Sequence, residues 1–157
     1  MNASQPPSDP LAEFPIVIAQ PVQWGDQDSM GHVNNVVFFR WCESARIEYF
    51  GRIGMPGKRA GGQGERAGGQ GEFILASIRC DFRRQVNFPD TVRIGARISR
   101  IGRSSMTMEH VIVSQAQQAV VAEAESTMVS FDYTAGKSQP VPDDARAAIA
   151  KLEGKAV

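Results

Sequence analysis

The sequence predicts an α+β domain: one long buried helix packed on one face of a curled antiparallel sheet of five strands, with a short helix at the C-terminus. Three features point there. The run "VVFFRWCESARIEYF" (36–50) is too long for an ordinary strand and lacks period-two alternation in its second half. From residue 74 onward the apolar period becomes two and is renewed through four successive segments. The breaks between those segments are of hairpin length, which predicts that consecutive strands are antiparallel neighbours.

Residues 1–14, rich in Pro, Ser and Asp, read as a disordered tail, leaving 15–157 as a single domain. The segment "PIVIAQPVQW" (15–24) reads as the first strand, with Pro21 marking an edge or a bend because proline cannot donate to a ladder. A polar stretch, "WGDQDSMGHVNN" (24–35), comes next. Asn34 is a suitable N-cap for the helix over 36–50, and Gly51 offers its stop. The helix is rich in β-branched and aromatic residues, so its intrinsic propensity is poor. Its apolar residues spread round much of the circumference, as in a helix buried on several sides.

Residues 51–72 hold nine of the chain's 15 glycines and an identical tandem repeat, "RAGGQGE" at 59–65 and again at 66–72. The unit is too short and too polar to stack as a solenoid, which predicts a flexible loop lengthened by duplication. Beyond it, Ile74, Ala76, Ile78, Cys80 and Phe82 alternate with polar positions, as do Val92, Ile94, Ala96 and Ile98. "NFPD" (87–90) and "IGRSS" (101–105) read as turns, followed by strands over 105–115 and 119–134. "PDDARAAIAKLEG" (142–154) reads as the closing helix, with Pro and two Asp at its start as the helix dipole prefers. One helix covers only part of five strands. Dimerisation through sheet edges is therefore expected, with the strand carrying Val92–Ile98 among those needing a partner.

Composition narrows the function. Lys+Arg and Asp+Glu both number 17, so bulk charge does not suit a nucleic-acid binder. No stretch approaches the ~18 apolar residues of a membrane span, and no basic-then-apolar leader opens the chain, so a soluble cytoplasmic protein is the expectation. Cys42 and Cys80 lie in apolar surroundings and read as reduced thiols. Neither the two cysteines nor His32 and His110 show metal-ligand spacing, so no metal is expected. The glycine-rich repeat lacks the Lys-Ser/Thr of a phosphate-binding loop.

Chemistry is concentrated in 24–35. The first N–H groups of a helix lack intrahelical partners and carry the positive end of its dipole, a fit for a carbonyl or an oxyanion. Asp28 precedes that helix start, and a loop carrying Gly31 can fold the carboxylate back towards it. A carboxylate beside backbone donors is what hydrolysis of an activated acyl group needs. The alternatives are ordinary ones. Asp28 can be a cap, Asp26 a turn former, His32 a hydrogen-bonded structural group, and Asn34 and Asn35 cap and turn residues.

The stretch "WGDQDSMGHVNNVVFFRWCESARIEYF" resembles the opening of the hot-dog-fold acyl-CoA thioesterases, in the branch similar to 4-hydroxybenzoyl-CoA thioesterase and the YbgC-like proteins. The shared pattern is aromatic-x-D-x-D-x-x-G-H-V-N-N followed by an aromatic-rich helix with E-x-A-R, here Glu43, Ala45 and Arg46. "FILASIRCDFRRQVNFPDTVRI" and "GRSSMTMEHVIV" resemble the same family more loosely. The resemblance implies a hot-dog fold and a homodimer or homotetramer with active sites at the dimer interface. It implies a substrate that itself carries coenzyme A, with no separate cofactor. It puts the catalytic carboxylate at Asp28 and the carbonyl-binding N–H at Asn35, with His32 and Asn34 beside them. Basic residues at strand ends, Arg83, Arg84, Arg100 and Arg103, with Ser104 and Ser105, are candidates for the coenzyme A phosphates and pantetheine. A hot-dog dehydratase or hydratase using His32, and a non-catalytic acyl-CoA-binding module, are the alternative functions.

The repeat yields a first prediction. Deleting residues 66–72 restores the same "RAGGQGE" ahead of Phe73. Even halving such a loop would change closure entropy by only about 0.6 kcal/mol, and this deletion removes only about a third of it. The thermal midpoint of the deletion variant should stay within a few degrees of the parent by calorimetry. A large drop would show that the second copy packs.

Overall fold

The computed structural model describes residues 9–55 and 72–157. Its elements are β1 (Ile16–Pro21), a 3-10 turn (Trp24–Asp26), α1 (Asn35–Arg52), β2 (Glu72–Phe82), β3 (Thr91–Ile101), β4 (Ser105–Ser114), β5 (Ala119–Asp132), β6 (Lys137–Ser138) and α2 (Asp143–Glu153). All pairings are antiparallel, and the sheet order is β1-β3-β4-β5-β2, with the two-residue β6 beside β5. The long helix, the five main strands and the short closing helix are those the sequence predicts. Of the repeat, only Glu72 lies within the described residues, where it opens β2 opposite Phe131.

Three expectations need correction. First, β2 and β3 are not hairpin neighbours. β2 lies at the far edge on β5, and residues 83–90 cross the end of the sheet to reach β3. That crossing is anchored rather than looped out. The N–H groups of Arg83 and Arg84 donate to the Val121 carbonyl (2.8 and 3.1 Å), and Val86 is fully buried. Consequently β3 has a neighbour on each side, and the open edges belong to β1 and β2. Second, the alternation in β2 breaks at Ala76. The register against β5 shifts between Leu75 and Ser77, so Phe73 stacks on Phe50 of α1, whereas beyond the bulge Phe82 meets Phe38.

Third, residues 9–14 are ordered, although 1–8 lie outside the described residues. Leu11 and Phe14 pack on the outer face of β3 above Gly95. A Cβ there would come within 2.7 Å of the Phe14 ring and 2.9 Å of Leu11. Arg97 lies over the Phe14 ring, and Asp9–Arg93 and Glu13–Arg97 ion pairs flank the strap. A Pro- and Asp-rich composition predicts a frayed end, but two apolar side chains and a glycine gap outweigh it.

α1 supplies the core. Val37, Phe38, Trp41, Cys42, Ala45 and Tyr49 are buried towards the sheet, where β3 presents Val92, Ile94, Ala96 and Ile98, none of them exposed. Both cysteines are free, Cys42 buried and Cys80 half-buried, and burial pushes their thiols up to about 12 and about 11. Among the described residues no helix is long and apolar enough to cross a membrane. α2 is fastened by one carboxylate: Glu153 Oε1 accepts from the Tyr49 hydroxyl (2.6 Å) and from the Ile98 N–H (2.7 Å). Burial and Glu153 together raise the Tyr49 phenol far above its usual range, so it stays a donor.

Tyr49→Phe removes that donor and little else. Hydrogen bonds to charged groups contribute about 1.5–3 kcal/mol. Urea unfolding should show a loss of that size with an unchanged m-value, and a loss below about 0.5 kcal/mol would show that Glu153 is held by Ile98 alone.

Candidate active site

The polar stretch before α1 is a short antiparallel fold-back. Asp26, which ends the 3-10 turn, is 7% exposed. Its Oδ2 accepts from the Gln23 N–H (2.8 Å) and its Oδ1 from Arg40 Nη2 (2.5 Å). Asp26 is thus the turn former expected, and by its burial and its bond to Arg40 an anchor as well. The chain then runs out and returns. The Asn34 N–H donates to the Asp26 carbonyl (2.9 Å), Gln27 bridges Val33, and the Asp28 N–H donates to the His32 carbonyl (3.1 Å). The tip closes with the Gly31 N–H on the Asp28 carbonyl (3.0 Å). Gly31 takes φ +82°, which suits a residue without a Cβ.

The crossing segment braces this fold-back from outside. The Val33 N–H donates to the Val86 carbonyl (2.8 Å), Asn87 Nδ2 to the Gly31 carbonyl (2.7 Å), and the Phe88 N–H to Gln27 Oε1 (3.1 Å). The connection expected to be a simple turn is thus the platform on which the loop sits.

The fold-back carries Asp28 on its outgoing arm and leads on its return arm into the start of α1. The half-buried Asp28 carboxylate accepts one local bond, from the Met30 N–H to Oδ1 (2.8 Å). Oδ2 has no partner among the described residues. Asn34 is the N-cap: its Oδ1 accepts from the Val36 N–H (2.9 Å), and its carbonyl accepts from the Val37 N–H (2.9 Å). That leaves the N–H of Asn35, the first helical residue, without an acceptor among the described residues. His32 is half-buried in the same loop. A carboxylate with a free oxygen, a free N–H and the positive end of an 18-residue helix therefore share one end of the sheet. Trp24, Met30 and Val36 are at least 70% exposed around it.

The other candidates are dispersed. Arg83 and Arg84 follow β2 at this same end. Arg83 is paired with Glu123 (2.9 Å) on the outer face, and Arg84 is exposed. Arg100, Arg103, Ser104 and Ser105 lie where β3 passes into β4, at the opposite end of the sheet. That turn packs against α2, whose Arg146 donates to the Gly102 carbonyl (2.5 Å). An eleven-residue strand separates the two ends, about 33 Å. A groove of about 570 Å³ on the outer face, lined by Phe14, Arg79, Arg97, Glu109 and Glu123, touches none of residues 24–35. Among the described residues no group of three or more His, Cys, Asp or Glu is placed to hold a metal.

Two features were missed from the sequence. One is the Asp26–Arg40 anchor. The other is a buried polar group of Arg46, His110 and Ser126. For Arg46 a signal exists: it lies one turn from both Cys42 and Tyr49, on the apolar face of the helix.

Comparison with known proteins places this arrangement. The family model of the thioesterase-like superfamily matches residues 22–149. The chain belongs to that superfamily. A thioesterase from Thermus thermophilus, solved with coenzyme A and Zn, is 32% identical, with a TM-score of 0.77 over 93% of this chain and 99% of its own. The YsmA protein of Bacillus subtilis is 31% identical over 57% of this chain, and the match spans only 55% of YsmA. A 1,4-dihydroxy-2-naphthoyl-CoA thioesterase from Synechocystis, 17% identical, shares the fold with a TM-score of 0.75 over 88% of this chain and 97% of its own. The matched span takes in the fold-back, α1 and the whole sheet from β2 onward, so the superfamily's hot-dog fold is the fold described above.

The anchor and the candidate carboxylate are separable by substitution. Asp26→Asn weakens two charge-assisted bonds of a buried group and should cost about 1.5–3 kcal/mol in urea unfolding. Asp28→Asn touches one local bond of a half-buried group and should cost less than about 1 kcal/mol. Equal costs would show that Asp28 also holds the fold.

Proposed function

We propose that this protein hydrolyses acyl-CoA thioesters to the free acid and coenzyme A. The observation that carries the reading is the unpaired Asn35 N–H at the start of α1, reached through a fold-back that carries Asp28 with an unpartnered carboxylate oxygen, in a chain of the thioesterase-like superfamily. The thioester carbonyl oxygen lies on the Asn35 N–H. As the carbonyl carbon becomes tetrahedral, the growing negative charge is met by that donor and the helix dipole, which need no reorganisation. Asp28 either takes a proton from the attacking water or attacks the carbonyl itself, forming an anhydride that water then opens. In both routes the C–S bond breaks, the thiolate of coenzyme A leaves and is protonated, and water supplies the oxygen of the acid. Asn34 caps the helix and His32 shapes the loop, with no proton transfer assigned to either.

The active form in this proposal is at least a homodimer. β2 is a long open edge, with Leu75 and Phe82 at least 40% exposed, beside a stripe of α1 on which Val36 and Ile47 are exposed as well. Two copies pairing β2 edge to edge about a two-fold axis run antiparallel. The Asp28 end of one then meets the β3–β4 end of the other. This is how Arg100, Arg103, Ser104 and Ser105, about 33 Å away in one chain, contribute to a coenzyme A bound at Asp28. Arg83 and Arg84 act from the same chain.

Thiol release from a panel of acyl-CoAs tests the activity. Asp28→Asn should lower kcat by at least ~10²-fold. Asp26→Asn should retain most of the activity per folded molecule. If the Asp26 change is the more damaging, the assignment is wrong. If no acyl-CoA releases thiol, the binding-module reading replaces hydrolysis. The shared site has its own test. Co-refolding an Asp28→Asn chain with an Arg103→Ala/Ser104→Ala chain should restore activity in mixed dimers, each variant alone being weak. No recovery, or a fully active monomer by light scattering, contradicts it.

A further inference from the structure

Arg46 belongs to the superfamily-like motif, yet the chemistry at Asp28 and Asn35 does not use it. It is 8% exposed, one turn along α1 from Cys42 and from Phe50. Its Nη1 is buried with no hydrogen-bond partner. The Glu43 carboxylate stands 3.8 Å from Nη2, beyond hydrogen-bond length, and is itself 61% exposed. Beneath lies His110 of β4, with its Nε2 3.3 Å from the Ser126 hydroxyl of β5. His110 Nδ1 likewise has no aligned partner. Burial and Arg46 hold the His110 pKa near 3 against the opposing pull of the Gly95 carbonyl, so the imidazole is neutral. Arg46 is then an almost uncompensated cation inside the core, a costly arrangement unless something completes it.

The seam between α1 and β2 runs from the Asp28 end of the sheet past the level of Arg46. Phe38 and Phe39 meet Phe82 at its head, with ring centroids 5.2 and 6.2 Å apart, and Phe50 stacks on Phe73 at its foot. Between them lie Ile78 and Cys80 of the edge strand β2, both half-buried, so the seam is apolar. Arg46 lies about three helical turns beyond Asn35, ~16 Å along the axis.

We infer that Arg46, with the Ser126 hydroxyl and the His110 imidazole, receives a carboxylate at the far end of the acyl chain, so that preferred substrates are monothioesters of dicarboxylic acids. This rests on the acyl-thioester reading above. The guanidinium donates Nη1–H to the carboxylate, which supplies the missing counter-charge. Allowing for the reach of the arginine side chain, the span accommodates a chain of roughly eight carbons. A buried water on Nη1 is the competing occupant.

Two measurements on the full-length protein and its Arg46→Met variant decide between them. In thermal shift assays, octanedioate should raise the wild-type midpoint more than octanoate does, and the difference should vanish in Arg46→Met. In kinetics, the ratio of kcat/KM for the octanedioyl-CoA monothioester over octanoyl-CoA should exceed one and fall at least tenfold in Arg46→Met. Ser126→Ala, a smaller change, should lower the same ratio and serves if Arg46→Met folds poorly. Equal response to the two acids in the wild type, or a preference that survives Arg46→Met, overturns the proposal in favour of the water. Arg46-dependent octanedioate binding without any thiol release would sustain the receptor and overturn hydrolysis instead.

Discussion

The arrangement depends on one buried carboxylate. Asp26 ties the entry of the polar loop to Gln23, ties it to α1 through Arg40, and offers its own carbonyl to the Asn34 N–H at the loop's exit. Entry and exit are thereby held side by side, and everything between them must form a tight fold-back. In the proposed mechanism the half-buried Asp28 carboxylate is left to act because Asp26 takes the structural task. On that proposal, two carboxylates two residues apart in sequence are divided between fold and chemistry by their burial.

The same division appears in the helix. A first turn leaves orphan N–H groups, and a cap ordinarily quiets some of them. Here Asn34 takes the Val36 N–H and leaves the Asn35 N–H open. A helix of low intrinsic propensity tolerates an open donor because its stability comes from packing: Phe38, Trp41 and Tyr49 are buried against a sheet that curls round them. Core and site are therefore coupled. The sheet holds the helix, and the helix start holds the reacting carbonyl in the proposed mechanism.

Much of this was legible in the sequence. The helix and its Asn34 cap could be read because apolar spread, length and cap chemistry agree at one place. Strand positions could be read from period two. Strand order could not, since the composition of residues 83–90 does not reveal that Val86 is buried or that Val121 anchors the crossing. The alternation through Ile74 and Ala76 misleads because a bulge costs one residue and leaves no mark in hydropathy. The strap at 9–14 was hidden because its two apolar residues matter only opposite Gly95, far along the chain. The Asp26–Arg40 pair depends on a loop turning back on its own helix, which spacing does not encode.

The central claim is that the Asn35 N–H receives the thioester carbonyl while its neighbour does not. Amide NMR on 15N-labelled Asp28→Asn protein, saturated with an acyl-CoA that the variant hydrolyses slowly, tests it directly. The Asn35 amide proton should move downfield and become protected from exchange, whereas that of Val36, already bonded to Asn34, should change little. An unmoved, exchanging Asn35 amide in the saturated complex would contradict the account.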